Sequence, residues 1–278
     1  MKKFLCSIGR RLYEAITQVA LSKKHESINN PQNSTDADLW EVDRVYLINL
    51  KRRIDRLVEF NKNYENSDMK NISYKTVEAV DGSIVDVDQV PLSEVAKTEL
   101  QQVETTGFRQ KHYQLTKGAI GCYLSHVKVW RSIINDEIGT ALVFEDDAKV
   151  PPNMRSIVRY ALTYPSIPDD WDIILLGFSC TSCDWDADST YSRVDRFFLT
   201  HCYLIRSSAI EKIVGTDTLF PITQQIDGYL SELSSILNIY TIDKKNKVKQ
   251  NNSRTDIQIP LINNRDPSVS DRMNLSLK

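Results

Sequence analysis

Glu145-Asp146-Asp147 follows directly on the apolar run Ala141-Leu142-Val143-Phe144. Three adjacent carboxylates repel one another and resist burial unless a cation neutralises them. Along an extended backbone, residues two apart share a face, so Glu145 and Asp147 can point together. Two hard oxygen ligands on one side suit Mg²⁺ or Mn²⁺, whose other positions go to water and a diphosphate. Acidic triplets are also common on solvated loops, and it is the preceding strand that favours a metal here. A second group, Arg52, Arg53 and Arg56, lies just beyond Ile48-Asn49-Leu50. Strand ends that lead into helices bind phosphates, and arginine forks fit phosphate oxygens. Taken alone, these arginines favour a solvated helix face paired with Asp55 and Glu59.

Other reactive residues carry less. Cys180-Thr-Ser-Cys183 lacks the second pair of ligands that a structural zinc site needs, and His201-Cys202 supplies it only if the fold brings them together. His126, on the polar edge of a helix, reads as a hydrogen-bonded structural residue. None of the G-x-G-x-x-G, G-x-x-x-x-G-K-[ST], G-x-S-x-G or H-E-x-x-H signatures occurs.

These groups must be positioned by the elements around them. Val45–Leu50 reads as a buried strand, followed by a charged helix carrying Ile54, Leu57, Val58 and Phe60. A second strand fits 72–80, ending in the turn Asp81-Gly82. Residues 83–117 are irregular, with one helix near 91–102. Ile120, Leu124, Val127, Trp130, Ile133 and Ile134 mark an amphipathic helix that leads to the strand 141–144. Helices over 153–163, 208–214 and 226–237 alternate with strands over 172–176, 197–205 and 239–242. Such alternation indicates an α/β domain with a mostly parallel central sheet flanked by helices, where ligands collect beyond the strands' carboxyl ends.

The 278 residues, 41% apolar and 26% charged, suffice for a sizeable core. Lys+Arg number 35 against 37 Asp+Glu, a balance that argues against a nucleic-acid partner. Five cysteines give no disulfide framework, and with no cleavable signal segment the expectation is reduced thiols in the cytoplasm. Residues 1–24 hold six basic groups and one acid on an amphipathic helical pattern. A helix packed on the domain or a loosely ordered extension is the favoured reading, and peripheral contact with an anionic membrane the alternative. A linker over 25–38, a catalytic domain over 39–260 and a polar tail over 261–278 complete the expected organisation.

Four blocks together resemble glycosyltransferase family 25. The first is Val45-Tyr46-Leu47-Ile48-Asn49-Leu50 with Arg53 and Arg56, and the second is Val77-Glu78-Ala79-Val80-Asp81-Gly82. The third joins Gly118-Ala119-Ile120-Gly121-Cys122-Tyr123-Leu124-Ser125-His126 and Trp130 to the acidic triplet. The fourth runs from Thr200-His201-Cys202 through Gln225-Ile226-Asp227 to Gln250 and Thr255-Asp256.

The resemblance implies a GT-A-like single domain, a UDP-sugar donor, a divalent cation (Mn²⁺ or Mg²⁺) at Glu145 and Asp147, and inversion at the anomeric carbon. The acceptor it implies is a glycan, a lipooligosaccharide or a hydroxylysine. Galactose is the expected sugar, although nothing in the sequence separates it from glucose. Inversion needs a base on the acceptor hydroxyl, for which Asp227 is the first choice and Asp256 the second. Asn49, Arg53, Arg56, Asp81 and His201 are the expected donor-binding residues. A metal-dependent phosphohydrolase and a non-catalytic carbohydrate-binding protein are the competing readings.

Overall fold

The computed structural model describes residues 42–163, 167–180, 191–242, 247–251 and 259. The amphipathic segment 1–24, the linker 25–38, Asp256 and the tail 261–278 lie outside the described residues. Strand β1 (Arg44–Asn49) is buried at every position after the first. It pairs in parallel with β2 (Tyr74–Glu78) on one side and β3 (Thr140–Glu145) on the other. Beyond β3 lie β7 (Phe198–Arg206), β5 (Ile173–Ser179), β8 (Ile239–Ile242) and β6 (Tyr191–Arg193), giving a seven-stranded sheet of order β2-β1-β3-β7-β5-β8-β6. Only β7 and β6 run against the rest.

Side-chain alternation sends each strand's residues into two cores. Tyr46, Ile48, Val143, Leu175 and Tyr203 enter one, and Val45, Leu47, Phe144, Ile174 and Leu204 the other. The first core is covered by α2 (Glu94–Thr106), α3 (Lys117–Asn135), α5 (Ser207–Gly215) and α6 (Ile226–Glu232). The second is covered by α1 (Ile54–Glu65) and α4 (Met154–Thr163). Both faces of the sheet are therefore sheltered, as a mostly parallel sheet requires.

Helix α3 sets the site. Thr116 caps it, its hydroxyl accepting from the Ala119 N–H at 3.0 Å. Two glycines let its first turns approach the loop after β2. A Cβ on Gly82 would stand 2.0 Å from the Lys117 carbonyl oxygen, and one on Gly121 would stand 2.5 Å from that of Val80. Ile120, Tyr123, Val127 and Trp130 then line the buried face.

Several expectations need correction. The strand expected over 72–80 is shorter, and the helix expected near 91–102 spans Glu94–Thr106, ending where Gly107 takes the left-handed conformation (φ 75°). The helix expected to 237 stops at Glu232 and tightens into a 3₁₀ turn at Leu233–Ser235. The edge strand β6 and the two-residue pair β4 (Ala148–Lys149) and β9 (Lys249–Gln250) are too short to leave a periodic signal. Cys180 is disulfide-bonded, against the expectation of reduced thiols, while Cys122 and Cys202 are free. No helix among the described residues is long and apolar enough to cross a membrane.

Candidate active site

The parallel strands β1 and β3 end side by side, Ile48 opposite Glu145, and the acidic triplet leaves the sheet there. Asp146 turns inward. Its Oδ2 accepts from Asn49 Nδ2 at 2.8 Å and from the Leu50 N–H at 3.3 Å, and its Oδ1 from Arg56 at 2.9 Å. Arg56 shares the buried face of α1 with Phe60 and Tyr64, so the solvated-face reading fails for it. Burial pushes the Asp146 carboxyl up, and Arg56 and Asn49 pull it back only in part.

Glu145 points instead toward His126 and Thr200, and Asp147 Oδ2 lies 3.6 Å from Arg56. Glu145 Oε1 accepts from Thr200 Oγ1 at 3.0 Å and lies 3.2 Å from His126 Nε2. His126 Nδ1 lies 2.9 Å from the Tyr203 hydroxyl, whose oxygen also accepts from Trp130 Nε1 at 3.1 Å. One proton arrangement satisfies the whole chain, with Trp130 donating to Tyr203, Tyr203 to Nδ1, and Nε2–H to Glu145. Burial raises the Glu145 carboxyl, but the hydrogen bond from His126, with His201 and Thr200, outweighs it and holds it below its ordinary value.

Asp147 is held differently. Gln250 Nε2 donates to its Oδ2 at 2.8 Å, and its carbonyl accepts from the Asn251 N–H, which anchors β9 over the site. Its Oδ1 is buried with no hydrogen-bond partner among the described residues. Burial and the neighbouring Glu145 charge push the Asp147 carboxyl up to about 7, against the pull of Arg56 at 3.6 Å. An orphaned carboxylate oxygen beside a second carboxylate fits a hard divalent cation, which would relieve both the missing partner and the repulsion.

Two clefts meet at Glu145. The first, about 490 Å³, is lined by Leu50, Arg52, Asp81, Gly82, Ser125 and His126. The second, about 510 Å³, is lined by Asp147, Leu199, Thr200, Gln225, Asp227 and Gln250. Cys122 and Glu145 line both and form the partition between them. In the second, Asp227 Oδ2 accepts from the Leu199 N–H at 3.0 Å and Oδ1 from the Gly228 N–H at 2.8 Å. Leu199 has a left-handed backbone (φ 69°), so the Asp227 contact fixes a strained bend in β7 beside Thr200.

Residues 42–229 match the family model described as Glycosyltransferase family 25 (LPS biosynthesis protein). The chain belongs to glycosyltransferase family 25. Among its relatives, the procollagen galactosyltransferase 2 of Mus musculus is 29% identical over 189 residues, 65% of this chain and 28% of the relative. The procollagen galactosyltransferase 2 of Homo sapiens is 32% identical over 144 residues, 50% of this chain and 21% of that one. The human inactive glycosyltransferase 25 family member 3 is 31% identical over 138 residues, 49% and 22% of the two chains. This chain thus spans less than a third of the length of these relatives. A solved structure, the inositol-1-phosphate CTP transferase from T. maritima, shares 15% identity at a TM-score of 0.39, over 84% of this chain and 96% of the other.

Within this family 25 chain the residues singled out by sequence are divided between the two clefts and the structure that supports them. Glu145, Asp147 and Asp227 share the second cleft, and Asp81 lines the first. Asn49 and Arg56 hold Asp146, so Asn49 orients the triplet and does not face the first cleft. Arg53 lines neither cleft and pairs with Asp55 at 2.7 Å, whereas its neighbour Arg52 reaches the first cleft and binds Asp81. His201 is buried, its Nε2 donating to the Val248 carbonyl at 3.0 Å while Nδ1 has no partner. Burial lowers its pKa. Gly177 leaves room for that ring, since a Cβ there would stand 2.5 Å from it.

The sequence places Arg52 in the candidate phosphate-binding cluster but gives Thr200, Gln250 and Tyr203 no role in the site. Only Arg52 carried a local signal, the shared cluster with Arg53 and Arg56. Thr200 and Tyr203 reach Glu145 and His126 through strand pairing, which one strand's sequence does not reveal.

Proposed function

We propose that this chain transfers a hexose, with galactose as the first choice, from a UDP-sugar to a hydroxyl of a glycan or hydroxylysine acceptor, with inversion. Glu145 and Asp147 would hold a divalent cation, Mn²⁺ or Mg²⁺. When bound, that cation supplies Lewis-acid neutralisation of the charge that develops on the departing diphosphate. The single observation that carries the reading is the buried, partnerless Oδ1 of Asp147 beside Glu145, at the boundary of two clefts.

The chain's own groups take the remaining work. Arg52 and Asp81 at the mouth of the first cleft offer a cation for phosphate oxygens and a carboxylate for ribose hydroxyls. Asn49 and Arg56 engage both oxygens of Asp146 in the wall of the first cleft, which leaves the outer two carboxylates for the cation. The acceptor lies in the second cleft, where Asp227 receives the proton of the attacking hydroxyl as the new bond to the anomeric carbon forms and the bond to UDP breaks. Its two backbone donors fix the carboxylate and leave a lone pair on each oxygen.

The test is UDP release from a panel of UDP-sugars, with Mn²⁺ and with chelator, in the presence of galactosyl or hydroxylysyl acceptors. Metal-dependent turnover of one donor supports the reading. A folded protein that binds glycan but turns over no donor supports the non-catalytic alternative, to which the relative named inactive lends weight.

A further inference from the structure

Cys122 and His126 stand one helical turn apart on α3, positions that share a face, and the end of β3 brings Glu145 against them. One sulfur, one imidazole nitrogen and one carboxylate oxygen from these three residues all lie within 4.8 Å of one another. We infer that Cys122, His126 and Glu145 form a second metal site, selective for a thiophilic divalent ion such as Zn²⁺ and distinct from the all-oxygen pair Glu145 and Asp147.

The donor set argues for this choice. A mixed sulfur, nitrogen and oxygen triad suits Zn²⁺, whereas Mn²⁺ and Mg²⁺ prefer oxygen alone. The nitrogen–oxygen spacing is close to what such an ion needs. Tetrahedral zinc with bonds of about 2.0–2.1 Å to nitrogen and oxygen sets those two ligands about 3.3 Å apart. His126 Nε2 and Glu145 Oε1 are 3.2 Å apart, so the ion takes the place of the proton now between them. Thr200 Oγ1, 3.3 Å from Nε2 and 3.0 Å from Oε1, stands beside the fourth position, which it or a cleft water fills.

The surroundings meet two further requirements of a metal site. The second imidazole nitrogen is already engaged, since Nδ1 lies 2.9 Å from the Tyr203 hydroxyl and can donate to its oxygen once Nε2 binds metal. An entry path exists as well, because all three ligands line the first cleft. No hydrogen bond engages the Cys122 thiol among the described residues. Binding converts it to a thiolate and releases its proton to solvent. Because Glu145 is common to both sites, zinc opposes transfer, a consequence that rests on the function proposed above.

The experiment titrates Co²⁺ and Cd²⁺ into the full chain and follows the thiolate-to-metal charge-transfer band. Neither donor nor acceptor is present, so its outcome is independent of whether transfer occurs. One equivalent should produce the band, Cys122→Ser should abolish it, and His126→Gln should weaken binding tenfold or more, with circular dichroism reporting that each variant is folded. Asp147→Asn, which removes the hard-metal pair but none of these ligands, should keep the band. Absence of the band in the wild-type chain, its persistence in Cys122→Ser, or its loss in Asp147→Asn would overturn the inference.

Discussion

Asn49, the last residue of β1, donates its side-chain amide to Asp146 at 2.8 Å across the gap between two parallel strand ends. That bond, with the Arg56 contact on the other carboxylate oxygen, holds the middle acid of the triplet in the wall of the first cleft. The outer two are left at the clefts. One carboxylate bonded through both oxygens, and an Asp147 with one oxygen unbonded, follow from the pleat of the strand and a single buried arginine.

Arg56 is 6% exposed and Asp146 5%, so removing the guanidinium strands a buried charge. Arg56→Met should cost about 3–5 kcal/mol, the penalty for breaking a buried pair. Denaturant unfolding measures it. Adding Asp146→Asn to Arg56→Met should restore much of the loss, because the uncompensated charge then disappears.

Gly82 and Gly121 fit the close approach of α3 to the loop after β2. Gly82→Ala drives a Cβ to 2.0 Å from a backbone carbonyl, a clash no rotamer relieves. About 1–3 kcal/mol of destabilisation is expected from overpacking of this kind. Since Gly82 also lines the first cleft, affinity for UDP should fall with it, read by calorimetry.

Arg52 beside Asp81 holds its carboxyl down to about 2. A depressed carboxylate pKa gives stability that is present above the unfolded value near 4 and lost as pH falls towards 2. The pair is partly exposed, so the contribution is about 1 kcal/mol or less. Asp81→Asn should flatten the acid limb of stability between pH 4 and 2 and leave neutral-pH stability nearly unchanged apart from that loss.

Asp227→Asn keeps the size of the side chain and one acceptor oxygen for the backbone. Transfer should fall by about 10²–10⁴-fold, the usual worth of a positioned base. Donor binding should stay within twofold, and equal loss of both would make Asp227 a scaffold for the Leu199 bend instead.

Much of this architecture is legible one residue at a time. The apolar runs at 45–50 and 141–144 predict the two strands whose ends carry the site, and the period-two argument separates Asp146 from Glu145 and Asp147. What escapes is what depends on partners far along the chain. Arg56 looks like a surface arginine until Phe60 and Tyr64, one and two turns on, carry it to the buried face. Arg53 and Arg52 are interchangeable in sequence, and only the turn into α1 sends one to Asp55 and the other to Asp81. Gln250 lies on a two-residue strand whose sole local signal is its place in the family pattern.

A divalent cation that Glu145 and Asp147 join to the donor's diphosphate should show in titrations of UDP with and without Mn²⁺, for wild type and Asp147→Asn. UDP affinity should rise at least tenfold with Mn²⁺ in the wild-type chain and show no such rise in the folded variant. UDP binding that is indifferent to Mn²⁺, or a rise that survives in Asp147→Asn, would contradict it.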